Sequence, residues 1–416
     1  MRSWMMLAGL ALAGVAGATQ REPANVSRRD LVAQATADAN VPVMADAYQR
    51  TSDPVTRVLA AMALERIHFN LDKSSEDARL CEQALIDSQP GTALFCAQYA
   101  NGNLRLAKGA AEATDAERDI IRRFTGKVPA QALQKMQQYV DQYRDVPAMT
   151  VDIPASGASV PLVHILRDDR GALEVEANGQ TTRLVMDTGA GPLVLGEETA
   201  RRMGVRVLPI AGLTRGLLSK NVPVRFGILD RMRFGPITVS NAPVEIVAGR
   251  KRLVGLDILR QLGAFRISRD TLQIYGEETP RPACREPLLV SGDTWGNSVR
   301  VVVALPINGS LQNTLIDSGS AFYLSGNQQV QNELATTYNR RLRIGDMGPL
   351  THHARVSQAT AEVVVSGQPI RMTFGVFTDA NLRWPYILGS GALRDMDFFF
   401  DFQQRHTCLL LHDHLR

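Results

Sequence analysis

Two acidic residues, Asp187 and Asp317, close near-identical segments: Leu184-Val185-Met186-Asp187-Thr188-Gly189-Ala190 and Leu315-Ile316-Asp317-Ser318-Gly319-Ser320. Each is an apolar β-type run ending in Asp, then a small hydroxyl residue, then Gly. A single Asp-Thr-Gly is common as a turn, because Asp and Gly favour turns after strands. Two copies, 130 residues apart, point to paired carboxylates. Carboxylates held close together cannot both ionise cheaply, so one pKa rises and the pair shares a proton. One oxygen can then take a proton from water while the protonated partner polarises a carbonyl. That chemistry requires no metal, cofactor or covalent nucleophile.

The segments that must position these residues are also duplicated. Downstream of Asp187 runs Leu253-Val254-Gly255-Leu256-Asp257-Ile258-Leu259, and downstream of Asp317 runs Ile387-Leu388-Gly389-Ser390-Gly391-Ala392-Leu393. Upstream, 173–180 and 301–310 each alternate into an Asn-Gly pair, a strong short hairpin signal. Late strands are read at 237–247 and 361–370. An internal duplication of two β-rich lobes follows.

Residues 162–411 resemble a bacterial retropepsin-like aspartyl protease, a relative of the retroviral and pepsin-like proteases, with both lobes in one chain. The resemblance rests on the two Asp-Thr/Ser-Gly loops and the two apolar-apolar-Gly segments. It implies two barrel lobes of six-stranded type related by a pseudo-twofold axis, with catalytic Asp187 and Asp317 meeting across a cleft. Thr188 and Ser318 would send their hydroxyls to the opposite loop, Gly189 and Gly319 would permit the turn and bring amides near the carboxylates, and Gly255 and Gly389 would pack beneath. Ser320 has Ala190 as its counterpart, so a hydroxyl could reach one carboxylate only, which predicts Asp317 as the more easily ionised member. No Tyr lies between Asp187 and Tyr275, so a pepsin-like flap is not expected. Gly-rich hairpins at Gly212 and Gly216, and at Gly345 and Gly348, are the flap candidates.

Met1-Arg2, an apolar run over 4–15 and Ala16-Gly17-Ala18 read as a secretory signal peptide, since the run falls short of the roughly 20 residues a membrane span needs. Four cysteines agree with export to an oxidising compartment, periplasmic or extracellular. Three pairings are open; sequence order suggests Cys81 with Cys96 and Cys284 with Cys408. No cysteines are spaced for metal binding. His352-His353 and His412-Asp413-His414 read as solvent-exposed.

Between signal and lobes, apolar spacing predicts helices at 54–70, 75–87, 92–108 and 114–124, with Ser74-Ser75 and Thr114 as helix starts. These Ala-rich pairs resemble tetratricopeptide hairpins, and the domain reads as adaptor, brace or prosegment. The expected fold class is thus multidomain α plus β: signal peptide 1–18, helical domain 19–145, linker 146–161, first lobe 162–280 and second lobe 281–416. A formal charge of +4 is too small to argue for nucleic acid. The expectation is a monomeric exported aspartic endopeptidase acting on an extended polypeptide, with a protein partner for the helical domain; the alternative is an inactive peptide-binding scaffold.

Overall fold

The computed structural model describes residues 27–164, 169–216, 218–347, 351–378 and 383–415. The segment read as a signal peptide, 1–18, and the flap candidate Gly348 lie outside the described residues. Helices come first: α1 (Arg28–Asp38), α2 (Val41–Arg50), α3 (Pro54–Ile67), α4 (Leu71–Leu85), α5 (Pro90–Lys108), α6 (Ala110–Phe124) and α7 (Ala130–Tyr143). From α2 onward each packs on its successor. The side chains of Ser27, Asn40 and Asp53 cap the first three by accepting backbone amides. Ser74, Ser75 and Thr114 do not open helices. They lie inside α4 and α6, where Ser75 and Thr114 donate to the carbonyl four residues back and Ser74 to Met62 O. A Cys81–Cys96 disulfide joins α4 to α5.

Three short strands follow, β1 (Thr150–Asp152), β2 (Ala158–Pro161) and β3 (Val163–His164). The segment expected to be a linker is therefore structured: β1 pairs with the strand at 237–247 and β2 with that at 271–275. The Pro and Gly residues that suggested a linker punctuate these strands. Next come β4 (Gly171–Ala177), β5 (Gln180–Asp187), β6 (Leu193–Gly196), α8 (Glu197–Arg202), β7 (Arg206–Thr214), β8 (Val222–Phe234), β9 (Ile237–Val247), β10 (Arg252–Gly255), α9 (Leu256–Leu259), β11 (Ala264–Ile267) and β12 (Thr271–Tyr275). The second lobe holds β13 (Leu289–Gly292), β14 (Val299–Ile307), β15 (Ser310–Asp317), β16 (Leu324–Gly326), α10 (Gln328–Glu333), β17 (Thr337–Gly345), β18 (Thr351–Val365), β19 (Gln368–Phe377), β20 (Tyr386–Gly389), β21 (Met396–Asp401) and β22 (His406–Leu411). The second late strand predicted, 361–370, is a hairpin tip joining β18 to β19.

Each lobe closes a ring of six strands. In the first the cycle is β9, β6, β10, β5, β4, β8 and back to β9; in the second it is β14, β15, β20, β16, β19, β18 and back to β14. Closure removes free strand edges. Asn178-Gly179 and Asn308-Gly309 have positive φ throughout, as a two-residue type I′ hairpin demands. A further sheet, β2-β12-β11-β21-β22, joins the lobes, with Phe265 of β11 opposite Phe400 of β21. Those two rings lie 5.0 Å apart and both are fully buried. Burying each such ring contributes on the order of 1.5–3 kcal/mol. Cys284–Cys408 ties the connector between the lobes to β22. Among the described residues no helix is long and apolar enough to cross a membrane.

Candidate active site

The two aspartates end equivalent strands. β5 runs parallel to β10 with Asp187 opposite Gly255, and β15 runs parallel to β20 with Asp317 opposite Gly389. Leu184, Val185 and Met186, like Leu315 and Ile316, are buried, as central parallel strands require. Only the terminal carboxylates keep partial access to solvent.

The glycine segments approach too closely for any side chain. A Cβ at Gly255 would lie 2.3 Å from the carbonyl oxygens of Gly191 and Pro192, and one at Gly389 would lie 2.2 Å from Phe322 O. Just beyond them, Leu256 N donates to Ala190 O and Ser390 N to Ser320 O, both at 2.8 Å. These bonds fix each aspartate loop from the side.

The loops then lock to one another. Thr188 Oγ1 donates to Ile316 O at 2.8 Å and accepts Ser318 N at 3.0 Å. Ser318 Oγ donates to Met186 O at 2.9 Å and accepts Thr188 N at 3.1 Å. Thr188 and Ser318 are buried, so each hydroxyl spends donor and acceptor on the opposite loop. Gly189 and Gly319 lie in the turns expected of them, closed by Ala190 N to Asp187 O at 3.1 Å and Ser320 N to Asp317 O at 3.0 Å, and neither has positive φ. A Cβ on Gly189 would lie 2.5 Å from Asp317 Cγ, and one on Gly319 would lie 2.3 Å from Asp187 Cγ. Each glycine makes room for the opposite carboxylate.

Asp187 Oδ1 accepts Ala190 N at 2.9 Å, and Asp317 Oδ1 accepts Gly319 N and Ser320 N at 3.0 and 3.1 Å. Burial first, then the charge of Asp187 and a hydrogen bond between the two carboxyl groups, push Asp317 up to about 8 against those two amides. The raised value belongs to the pair, which holds one proton between the two carboxyl groups. Ser320 meets Asp317 through its backbone amide, while Ser320 O accepts the Ser390 hydroxyl at 2.8 Å. The pair can share one proton near neutral pH.

Two hairpins, β7–β8 and β17–β18, carry the flap candidates. Gly212 lies within β7, Gly216 at that hairpin's tip, and Gly345 ends β17. The tips meet: Asp346 Oδ2 accepts Leu218 N at 2.6 Å and Ser219 N at 2.5 Å. Ser219 Oγ bonds Met347 O and His352 Nε2. A side chain at Gly216 would collide with the Asp346 carboxylate. Lys251, whose burial lowers its pKa, feels the charges of both Asp346 and Asp187. His352, read as solvated, is a half-buried hairpin partner. The C-terminal pair is also engaged, His412 with Asp397 and His414 with Asp395. Asp346 and Ser219 escaped sequence reading because a lone Asp in a Gly-rich turn carries no signal of a partner 127 residues away.

Residues 173–259, from β4 through α9, match the family model described as Aspartyl protease. Among solved structures, basic 7S globulin from soybean is similar over 62% of this chain and 95% of its own, at 13% identity and a TM-score of 0.38. No curated protein matches in a sequence search. The family match covers most of the first lobe, Asp187 and Gly255 included.

Proposed function

We propose that this protein is an exported aspartic endopeptidase in which Asp187 and Asp317 activate a water against a peptide carbonyl. The observation that carries the reading is the reciprocal set of four hydrogen bonds between the two aspartate loops, made by Thr188 and Ser318 to each other and to Ile316 O and Met186 O, which holds two carboxyl groups, one from each lobe, against each other. The matching registers of β5 with β10 and of β15 with β20 support a pseudo-twofold relation between the lobes.

In this mechanism the ionised carboxylate takes a proton from water as the water attacks the scissile carbonyl. The protonated carboxyl of the pair donates to the carbonyl oxygen as it gains charge. Collapse of the tetrahedral adduct passes a proton to the leaving amine and restores the shared proton. The substrate lies extended between the flap hairpins and the dyad, bound through its backbone as an added strand. The helices form tetratricopeptide-like hairpins, and the chain works as a monomer in the periplasm or outside the cell after residues 1–18 are removed. Mass spectrometry of a diverse peptide library incubated with the protein from acidic to neutral pH tests the reading. Internal cleavage that vanishes in Asp187→Asn and in Asp317→Asn is expected; a folded wild-type protein that cuts nothing overturns it.

A further inference from the structure

The helical domain grips both strand-and-loop units that carry the aspartates. In the first lobe, Arg260 follows α9 directly, and its guanidinium donates to Leu106 O at the end of α5. Arg260 is nearly buried and lies 3.9 Å from Asp257. Asp257 N donates to Gly191 O at 2.8 Å, four residues beyond Asp187. One chain of contacts therefore runs from α5 to the first aspartate loop.

A second chain reaches the other aspartate. Asn313, on β15 four residues before Asp317, donates to Asp38 O at 3.1 Å and to Ala39 O at 3.0 Å, both at the end of α1. Arg383, shortly before β20, pairs with Asp38 at 3.5 Å. Between these points the 293–297 turn of the second lobe sits in the helical stack. Fully buried Arg66 donates to Asp293 O at 3.0 Å, Arg105 to Trp295 O at 2.6 Å, and a Cβ on Gly102 of α5 would lie 2.4 Å from Thr294 O. Leu289 and Val302 of the second lobe belong to the helical hydrophobic core.

A covering segment meant to leave would present a separable face. Here buried cations end on carbonyls across the boundary, and separation would leave those charges and carbonyls unpaired, a heavy cost.

We propose that the helical domain is a permanent brace that sets the distance between the two aspartate loops, with Arg260 and Asn313 as its positioning residues. The inference rests on the proteolytic reading for its kinetic test and is independent of it for its physical one. The physical test inserts a site for a specific protease after Asp145, in the exposed turn that follows α7, into the otherwise intact chain. After cutting, the two pieces should co-elute and unfold in one transition, with peptide turnover within about twofold of the uncut chain. Pieces that part while the barrel portion keeps or gains activity overturn the brace. If the wild type cleaves no peptide, the proteolytic reading fails, and co-elution with single-transition unfolding still decides the brace.

The kinetic test compares Arg260→Met with Arg260→Lys. Loosening the first loop should lower kcat by about tenfold with little change in KM, and should move the alkaline limb of the pH–rate profile below that of the wild type. Lys, which keeps a donor, should recover part of both. An unchanged kcat and limb in a folded Met variant overturns Arg260 as a positioning residue. If the Met variant does not fold, the Lys variant and the cut chain carry the decision.

Discussion

The two lobes agree where they approach the aspartates and diverge five residues beyond the glycine of each supporting segment. Gly255 and Gly389 face their aspartates in the same register. Arg260 then turns to the helical domain, whereas its counterpart Arg394 binds buried Asp169, which Arg269 also holds. The difference teaches that the paired carboxyl groups constrain only the backbone around them: the loops, their hydroxyls and the glycines. Outside that shell the same Arg position serves an interdomain contact in one half and an anchor within the barrels in the other.

Replacing each aspartate in turn is the strongest way to break the equivalence of the lobes. Asp187→Asn and Asp317→Asn should each lower peptide cleavage by at least about 10³-fold, measured under single-turnover conditions. A lobe whose aspartate could be lost at little cost would not be half of a dyad. Next come Gly189→Ala and Gly319→Ala, which put a methyl group against the opposite carboxylate. Each should cost about 1–3 kcal/mol of stability and most of the activity; thermal unfolding alongside turnover separates the two effects.

Thr188→Val and Ser318→Ala probe the reciprocal bonds between the loops. Each should cost about 1–3 kcal/mol in denaturant unfolding, because buried partners are left unpaired. The double substitution should cost less than the two together, since both remove one shared network. Additive losses would mean that the loops are held separately.

The dyad also leaves a mark on stability. Asp317 binds its proton up to about 8 in the folded chain, whereas an unfolded Asp loses it near 3.9. The folded state therefore holds the extra proton between those values. Its contribution to stability is fully present below the unfolded pKa and is lost as pH rises toward 8. Asp317→Asn should flatten the fall of Tm across that window; an unchanged slope would mean that the pair holds no extra proton in the folded state. The smallest effect expected is that of Ser320→Ala. Its backbone amide makes the contact with Asp317, so the pH–rate profile should stay within about twofold of the wild type at each pH. A clear shift would revive a hydroxyl asymmetry between the lobes.

Much of this site is legible in the chain because its parts are local and repeated. Aspartate, hydroxyl residue and glycine are consecutive, and the Asn-Gly turns and glycine segments recur at nearly constant spacing. Contacts between distant segments are another matter. β1 and β2 lie among the Pro and Gly residues of an apparent linker, and they become strands only because β9 and β12 offer edges. α1 buries Val32, Ala35 and Thr36, too small and mixed a set to stand out as a stripe. α7 does carry a readable stripe, Leu133, Met136 and Val140, after Pro129. Arg260, Asn313 and Asp346 have ordinary local surroundings, and their importance lies wholly in what the fold brings to them.

The meeting of the hairpin tips ties the two lobes at a second place besides the aspartate loops. Under the proposed function, in which a polypeptide lies between the hairpins and the aspartates, the bonds from Leu218 and Ser219 to Asp346 would encircle it. An encircled chain enters end first, or it waits until two short hydrogen bonds part. Termini and unstructured stretches can thread; a tight loop on a folded domain, which brings two strands of chain at once, must open the ring. On that reading, the rate at which Asp346 lets go would set an upper limit on traffic through the site, whatever the speed of the chemistry beneath it.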